Sequence, residues 1–480
     1  MADAPRFEIS LDGALAAIAQ VGDLSMGQPL GHSRRVAGLA RMLAQASHGE
    51  GAHVTVAEQV ALLRWSGCTA NAEGFSHLLG DDVAGRRAML DHTLEAQRMQ
   101  AIHQATSLAV AHCEVSGAVA GTLGLGEAVE TGLCRVFETY EGSGRPLGLT
   151  HEHIPEVAYQ VVLAGDLEIL SRTHGLEVAL GWIGEQSNRR YPAALAALLV
   201  QNARHWLARL ERPPAETGHS GVATGVALTL IGDVIDLKLP WLSGHSRRVA
   251  ELATQAARLW GLPTPTIEHI GRAGLVHGLG RAAIPNHLWN VPGPLAYGAT
   301  QRTHLAPYWT QRACQQIDEL AAPGDMAAHV YERLDGSGHF RSLCADALRP
   351  EHRLLATSVA WVALRSARPW RPALSESGAA MTLQREAARG LFDARVCEAV
   401  IAAAGGDRQR FPPPVAPLLT ERECQVLRHI SQGASNKATA RLMGISPSTV
   451  RTHVESIFRK LECSSRAAAT LKGLTLGLIT

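Results

Sequence analysis

GHSRRVAGLARML, beginning at Gly31, and GHSRRVAELATQAARL, beginning at Gly244, are two nearly identical stretches of one chain. In each, apolar residues recur at helical spacing: Val36, Leu39, Ala40 and Leu43 in the first, Val249, Leu252, Ala253, Ala256 and Leu259 in the second. Each is followed by an apolar segment that closes on glycine, ALLRWSG at Ala61–Gly67 and GLVHGLG at Gly274–Gly280. Farther on come matching turns, VFETYEGSGRPLGL from Val136 and VYERLDGSGHF from Val330. Three correspondences in the same order mark a tandem duplication. The period is far longer than the ~20–45 residues of a solenoid repeat, so the repeated units are whole domains.

The first copy spans residues 1–212 and the second 218–405, with ERPPAETGHS between them reading as a linker. A connector follows at 406–418, stiffened by the proline run Pro412–Pro414. Residues 419–480 form a last, shorter domain. Strand signals are sparse, so the expected fold class is all-α. With a net charge of +1, the chain is not a general polyanion binder, and any nucleic-acid function must sit in a local basic patch. The N-terminal MADAPRFEIS lacks the basic and apolar blocks of a signal peptide. The most apolar stretch, Gly221–Leu242, is interrupted by Asp233, Asp236 and Lys238, too charged for a bilayer. The cysteines form no C-x-x-C pair and read as reduced thiols. The expectation is a cytoplasmic protein with no membrane partner.

From Leu419 the pattern becomes short helices with strong start signals. Thr420 and Glu423 form a capping box, Val426, Leu427 and Ile430 give the first helix an apolar side, and Gly433 ends it. A second helix follows Ser435, with Leu442 and Met443 expected inward and a turn at Gly444. Ser446 and Pro447 open a third, serine as cap and proline where its missing donor costs nothing. Val450, Val454, Ile457, Phe458 and Leu461 fall on one face of it; Ser448, Arg451, Thr452, Glu455 and Arg459 fall on the other. Basic residues outnumber acidic ones across this domain, which suits attraction to phosphate.

The run LTERECQVLRHISQGASNKATARLMGISPSTVRTHVESIFRKLECSSRAAAT closely resembles the LuxR/GerE-type helix-turn-helix. That resemblance implies four helices, a recognition helix at about Pro447–Leu461, and a last helix after Ser465 that often pairs two protomers on double-stranded DNA. It places Lys437 on phosphate and Arg451, Thr452 and Glu455 at base edges, with Ser448, Thr449, Arg459 and Lys460 completing the DNA-binding set. The family usually has glutamate where this chain has Ala438, which removes a second capping box.

From about Leu228 to Phe392 the second copy resembles the HD-GYP branch of the HD phosphohydrolases, through HSRRVAEL, GLVHGLGRAAIP, His304, YERLDGSGHF and RSARPWRPA in that order. The resemblance implies a helical fold that hydrolyses cyclic diguanylate at a centre of two or three metals, where carboxylates bridge the cations and the cations generate hydroxide. His245, His277 and His304 occupy three of the family's histidine positions. The aspartate of the HD pair is Gly278, the paired histidines are Val330 and Tyr331, and the later aspartate is Val359. The family's lysine is Arg281, and its GYP tripeptide is Gly338-His339-Phe340; Glu332, Asp335, Gly336 and Gly338 survive. Two close divalent cations need anionic ligands, so a bridged pair is not expected. His245, His277 and His304 either hold one divalent metal, as three-histidine sites do, or serve structure.

The first copy has diverged further. His32 remains, the HD pair is Arg64-Trp65, one of the paired histidines is Phe137, and the turn reads Glu141-Gly142-Ser143-Gly144. His112 opens another HD-like helix, but no metal is expected here. The segment RWSGCTANAEGF, Arg64–Phe75, either lines a pocket or packs. The expected function is a DNA-binding transcriptional regulator, with tandem degenerate HD-GYP-like domains as a sensory or dimerisation module. No catalytic residue and no cofactor beyond that single metal are expected, and the implied partners are DNA, a second copy of the chain, and a small-molecule or nucleotide ligand. The alternative is a metal-dependent phosphohydrolase acting on cyclic dinucleotides, with a DNA-binding tail.

Overall fold

The computed structural model describes residues 7–211, 225–405 and 418–479. The segments read as linkers fall outside the described residues, apart from Glu211 and Leu418. The fold is all-α, with one small addition: strands β1 (Glu8–Ser10) and β2 (Gly225–Ala227) pair into a two-stranded sheet. No helix among the described residues is long and apolar enough to cross a membrane. The chain divides into two compact units, one beginning at Ser10 and holding the first copy. The other holds the second copy and the C-terminal helices, together with Phe7, Glu8 and Ile9. The first residues therefore belong with the second copy, where Phe7 packs against Gly271 and its carbonyl accepts from Leu228 N–H at 2.8 Å.

The first unit includes α1 (Leu11–Ser25), α2 (His32–His48), α3 (Ala52–Leu63), α4 (Thr106–Thr122) and α5 (Glu156–His174). Helix α2 packs on α3 and α5 through Val36, Leu39, Ala40 and Leu43, all fully buried. Burying a large apolar side chain of this kind contributes about 1.5–3 kcal/mol. The second copy repeats the arrangement with α6 (Thr229–Asp236), α7 (His245–Trp260), α8 (Thr264–Val276), α9 (Ala306–Cys314) and α10 (Pro350–Leu364). Val249, Leu252, Ala253 and Ala256 are buried as the spacing predicts, but Leu259 is exposed. Leu259 lies on the last turn of α7, next to the half-buried Trp260.

The duplication is visible bond by bond. Asp23 accepts from Ser33 N–H at 3.0 Å and from its hydroxyl at 2.6 Å; Asp236 accepts from Ser246 N–H at 2.7 Å and its hydroxyl at 2.9 Å. These carboxylates take the orphan donors at the N-termini of α2 and α7, where Gly31 and Gly244 have left-handed backbones and offer no side-chain cap. Glu138 accepts from Leu147 and Leu149 N–H, and Glu332 from Arg341 and Leu343 N–H, at 2.8–3.0 Å. The second glycine of each turn is required by close approach: a Cβ on Gly144 or Gly338 would stand 2.4 Å from the Cα of Glu138 or Glu332. The surviving glutamates and glycines of the turn thus have a structural task in both copies.

The C-terminal helices are α11 (Glu421–Ser431), α12 (Asn436–Met443), α13 (Pro447–Lys460) and α14 (Arg466–Thr475). They enclose their own core, in which Val426, Leu427, Ile430, Val450 and Ile457 are essentially inaccessible. Leu442, expected inward, is exposed. The short helix α12 turns Thr439, Ala440 and Met443 to the core, and Leu442 falls on the other side. Within this unit α14 lies beside α6, and Gly433 stands against Pro240.

Candidate nucleic-acid interface and a remnant histidine cage

Each C-terminal helix starts on a side-chain cap read from the sequence. Thr420 and Glu423 close a full capping box, and Ser435, Ser446 and Ser465 accept from the amides of Ala438, Thr449 and Ala468. With Ala438 at the third helical position, α12 keeps only half of such a box. Helix α13 buries Val450, Val454 and Ile457 and leaves Ser448, Thr449, Arg451, Thr452, Glu455 and Arg459 exposed. Arg451 Nε donates to Glu455 Oε1 at 2.9 Å, one turn away and in solvent. Such exposed pairs contribute about 0.3–0.5 kcal/mol. Lys437 on α12 is exposed.

Lys460, Arg466 and Lys472 make bonds that hold the domain's helices together. Lys460 donates to Glu423 at 2.7 Å, Arg466 to the Ala434 carbonyl and Asn436 at 2.7 Å each, and Lys472 to the Leu461 and Glu462 carbonyls that end α13. Lys460, expected on DNA, therefore holds α13 to α11. Burial works to raise the Glu423 carboxyl, but hydrogen bonds from Lys460, Ser456 and Thr420 carry it down to about 2. Arg428, Arg441, Arg451 and Arg459 of this domain face solvent.

In the second copy His245 opens α7 and His277 caps α8, their rings 5.4 Å apart and both buried. His277 Nδ1–H donates to the Gly274 carbonyl at 2.7 Å, which leaves Nε2 as the acceptor. Arg281 fills it, donating from Nη2 at 3.0 Å and also reaching Tyr331 Oη at 3.1 Å. Burial, then Arg281, lowers the His277 pKa to about 3, so the ring is neutral. Burial pushes Asp236 up to about 7, partly opposed by its Ser246 bonds and by Arg281, whose Nη1 lies 4.0 Å away. His304 is not part of this group: it ends the helix Tyr297–His304 and stacks on His339 at 3.8 Å.

The first copy has the same design with other residues. His32 Nδ1–H donates to Glu168 at 2.5 Å, and Arg64 Nη2 donates to His32 Nε2. The Arg64 guanidinium lies 4.0 Å over Trp65, whose ring stacks on His32. Burial, then Arg64, takes His32 down to about 4 against the pull of Glu168. The segment Arg64–Phe75 therefore packs: Asn71 accepts from Arg86 and donates to the Leu108 carbonyl. Glycine contacts align the copies beyond the cage. A Cβ on Gly67 would meet the His112 carbonyl at 2.3 Å, and one on Gly280 the Ala306 carbonyl at 1.9 Å. The counterpart of His112 is thus Ala306, and His304 lies just before that position.

Residues 229–396 match the family model described as HD domain, and residues 417–472 the one described as bacterial regulatory proteins, luxR family. The chain carries an HD domain and a C-terminal LuxR-type domain. The LuxR-type domain is 48% identical over 67 residues to the nitrate/nitrite response regulator protein NarP of Escherichia coli, 14% of this chain and 31% of that one. A 3'3'-cGAMP-specific phosphodiesterase 3 of Vibrio cholerae is 27% identical over 56% of this chain and 62% of its own length. A cyclic di-GMP phosphodiesterase of Pseudomonas aeruginosa is 31% identical over 34% of this chain and 39% of its own. The chain spans less than two thirds of the length of these curated relatives. A crystal structure of a cyclic GMP-AMP specific phosphodiesterase of V. cholerae matches with a TM-score of 0.59 at 21% identity, covering 85% of this chain and 100% of that one. That likeness establishes a shared fold.

The metals of HD phosphohydrolases do not fit the residues of this HD domain. The acceptor nitrogen of His277 is occupied by Arg281, Gly278 and Val359 offer no carboxylate, and Asp236 is tied to Ser246. Among the described residues no three His, Cys, Asp or Glu side chains gather as a metal site. Asp23 and Asp236 lie upstream of the repeated stretches that begin at Gly31 and Gly244. Both stand ten residues before their serines.

Proposed function

We propose that this protein is a transcriptional regulator whose LuxR-type domain reads double-stranded DNA and whose two HD-like copies form a sensory or dimerisation module. The observation that carries the reading is α13, buried along one side and presenting Ser448, Thr449, Arg451, Thr452 and Glu455 along the other. A helix of that form enters the major groove with its N-terminal side chains at base edges. Arginine suits guanine and glutamate suits the amino group of cytosine. Lys437 and Arg459 contact phosphate, and Lys460 acts by holding α13 in place. The protein works in the cytoplasm as a homodimer, with α14 at the dimer contact. A signal in the second copy, from a small-molecule or nucleotide ligand, reaches the DNA-binding domain where α14 lies beside α6. Genome-wide mapping of bound sites tests this: a shared motif under the peaks supports it, and sequence-independent coverage refutes it.

The second reading, a cyclic dinucleotide phosphodiesterase with a DNA-binding tail, draws on the activities of the V. cholerae and P. aeruginosa relatives. The lost carboxylates and the engaged His277 weigh against it. Turnover of a cyclic dinucleotide that Arg281→Ala leaves intact and His277→Ala abolishes would establish it.

A further inference from the structure

We infer that Cys113 and Cys134 of the first copy form a redox-active dithiol, which a peroxide converts to a disulfide tying α4 to the helix that follows it. Cys113 lies on α4, and Cys134 on the helix Glu127–Arg135 packed against α4. Each thiol reaches across to the backbone of the other: Cys113 Sγ donates to the Cys134 carbonyl at 3.6 Å, and Cys134 Sγ to the Cys113 carbonyl at 3.5 Å. The two sulfurs also share a hydrogen bond. Facing sulfurs on adjacent backbones are the geometric precondition of a disulfide.

The second copy makes the same helix pair without sulfur. The register that matches Val136 to Val330 and His112 to Ala306 sets Pro307 at the position of Cys113 and Ala328 at that of Cys134. Pro307 and Ala328 are buried, and α9 packs on the helix Asp318–Ala327 as α4 does on Glu127–Arg135. Packing alone therefore does not call for two facing thiols at these positions.

The two cysteines differ in the way a stepwise oxidation needs. Cys134 is half-buried and open to a small oxidant, whereas Cys113 is buried. The hydrogen bond from Cys113 lowers the Cys134 thiol, and Arg135 adds to it, against burial and the carboxylates of Glu130 and Glu114. The same bond, with burial, raises Cys113. The thiolate is the nucleophile, so Cys134 reacts first. Its sulfur attacks one oxygen of hydrogen peroxide, the O–O bond breaks, hydroxide leaves, and Cys134 becomes a sulfenic acid. The Cys113 sulfur then attacks the Cys134 sulfur; the S–S bond forms, the S–O bond breaks, and the oxygen leaves as water with the Cys113 proton. Two thiols are oxidised by two electrons, and one peroxide is reduced to two waters. Dithiothreitol reverses the change by exchange. In a reducing compartment such a bond is transient, and the resting form is the dithiol.

The test is peptide mass spectrometry of the full-length protein, treated with hydrogen peroxide and quenched by alkylation. Wild type is expected to yield a peptide pair linked through Cys113 and Cys134, absent before peroxide and lost again with dithiothreitol. Cys113→Ser, confirmed as folded by circular dichroism, is expected to accumulate a dimedone adduct on Cys134. Cys134→Ser is expected to leave Cys113 alkylated as the free thiol. Wild type that keeps both thiols free, that stops at a dimedone adduct on Cys134, or that links either cysteine elsewhere overturns the inference. Those outcomes are read on wild type, so they decide it even where a serine variant fails to fold.

Discussion

The Lys460 ammonium stands 2.7 Å from Glu423 Oε2, so the end of α13 is pinned to the start of α11, packed across it. The same carboxylate takes the Thr420 amide at 2.7 Å and the Ser456 hydroxyl at 2.7 Å. One residue thus caps α11 and sets the position of α13.

Removing Glu423 should loosen α13 without touching its DNA-facing side. Glu423→Ala deletes a cap and a charge-assisted bond, a loss of about 2 kcal/mol. Hydrogen exchange of the amides in 447–460 should accelerate about thirtyfold in the full-length variant. Exchange equal to wild type would show that the Glu423 bonds do not hold the helix.

Lys437 should contribute affinity and no specificity. Neutralising one phosphate contact lowers the slope of log K against log salt by about 1, whatever the sequence. Lys437→Ala is expected to weaken binding equally on operator and random DNA, read by fluorescence anisotropy over a salt series. A selective loss on operator would move Lys437 from phosphate to a base edge.

The C-terminal domain was almost wholly legible because its signals are local. Thr420, Ser435, Ser446 and Ser465 each cap the helix that their sequence context announces. Leu442 and Leu259 were misplaced because a short helix, or a last turn, does not average over enough residues to fix its buried side. The histidine cage was legible only in part. His245 and His277 do meet, but the reach of Arg281 and Arg64 depends on side-chain direction across the core, which no periodicity reports. His304 lies two residues before Ala306 in sequence, but its ring stacks on His339 rather than on His245 or His277.

Asp236 should leave a pH signature. Its carboxyl rises from 3.8 to about 7 on folding, chiefly through burial. It therefore binds its proton more tightly in the native state; its contribution is full below about 3.8 and is lost as pH rises through about 7. Asp236→Asn keeps an acceptor for Ser246 and carries no titrating proton. The stability of the variant relative to wild type should increase from pH 5 to pH 8, measured by urea denaturation at both. A constant difference would mean that Asp236 is not buried as a protonated acid.

Hydrolysis of cyclic dinucleotides should be absent. With Mn2+, Fe2+ or Mg2+ added, chromatography of 3'3'-cGAMP or cyclic di-GMP incubated with the full-length protein should return the substrate intact. Linear product that disappears in His277→Ala would restore the enzymatic reading of the HD domain.

The most direct test of the account is the effect of Arg451→Ala on DNA selection by the full-length protein. Wild type should enrich a defined motif from a random double-stranded library, and Arg451→Ala should relax one position of that motif, losing about 1–3 kcal/mol on the preferred sequence and little on random DNA. An equal loss on preferred and random DNA, or no motif with wild type, would contradict it.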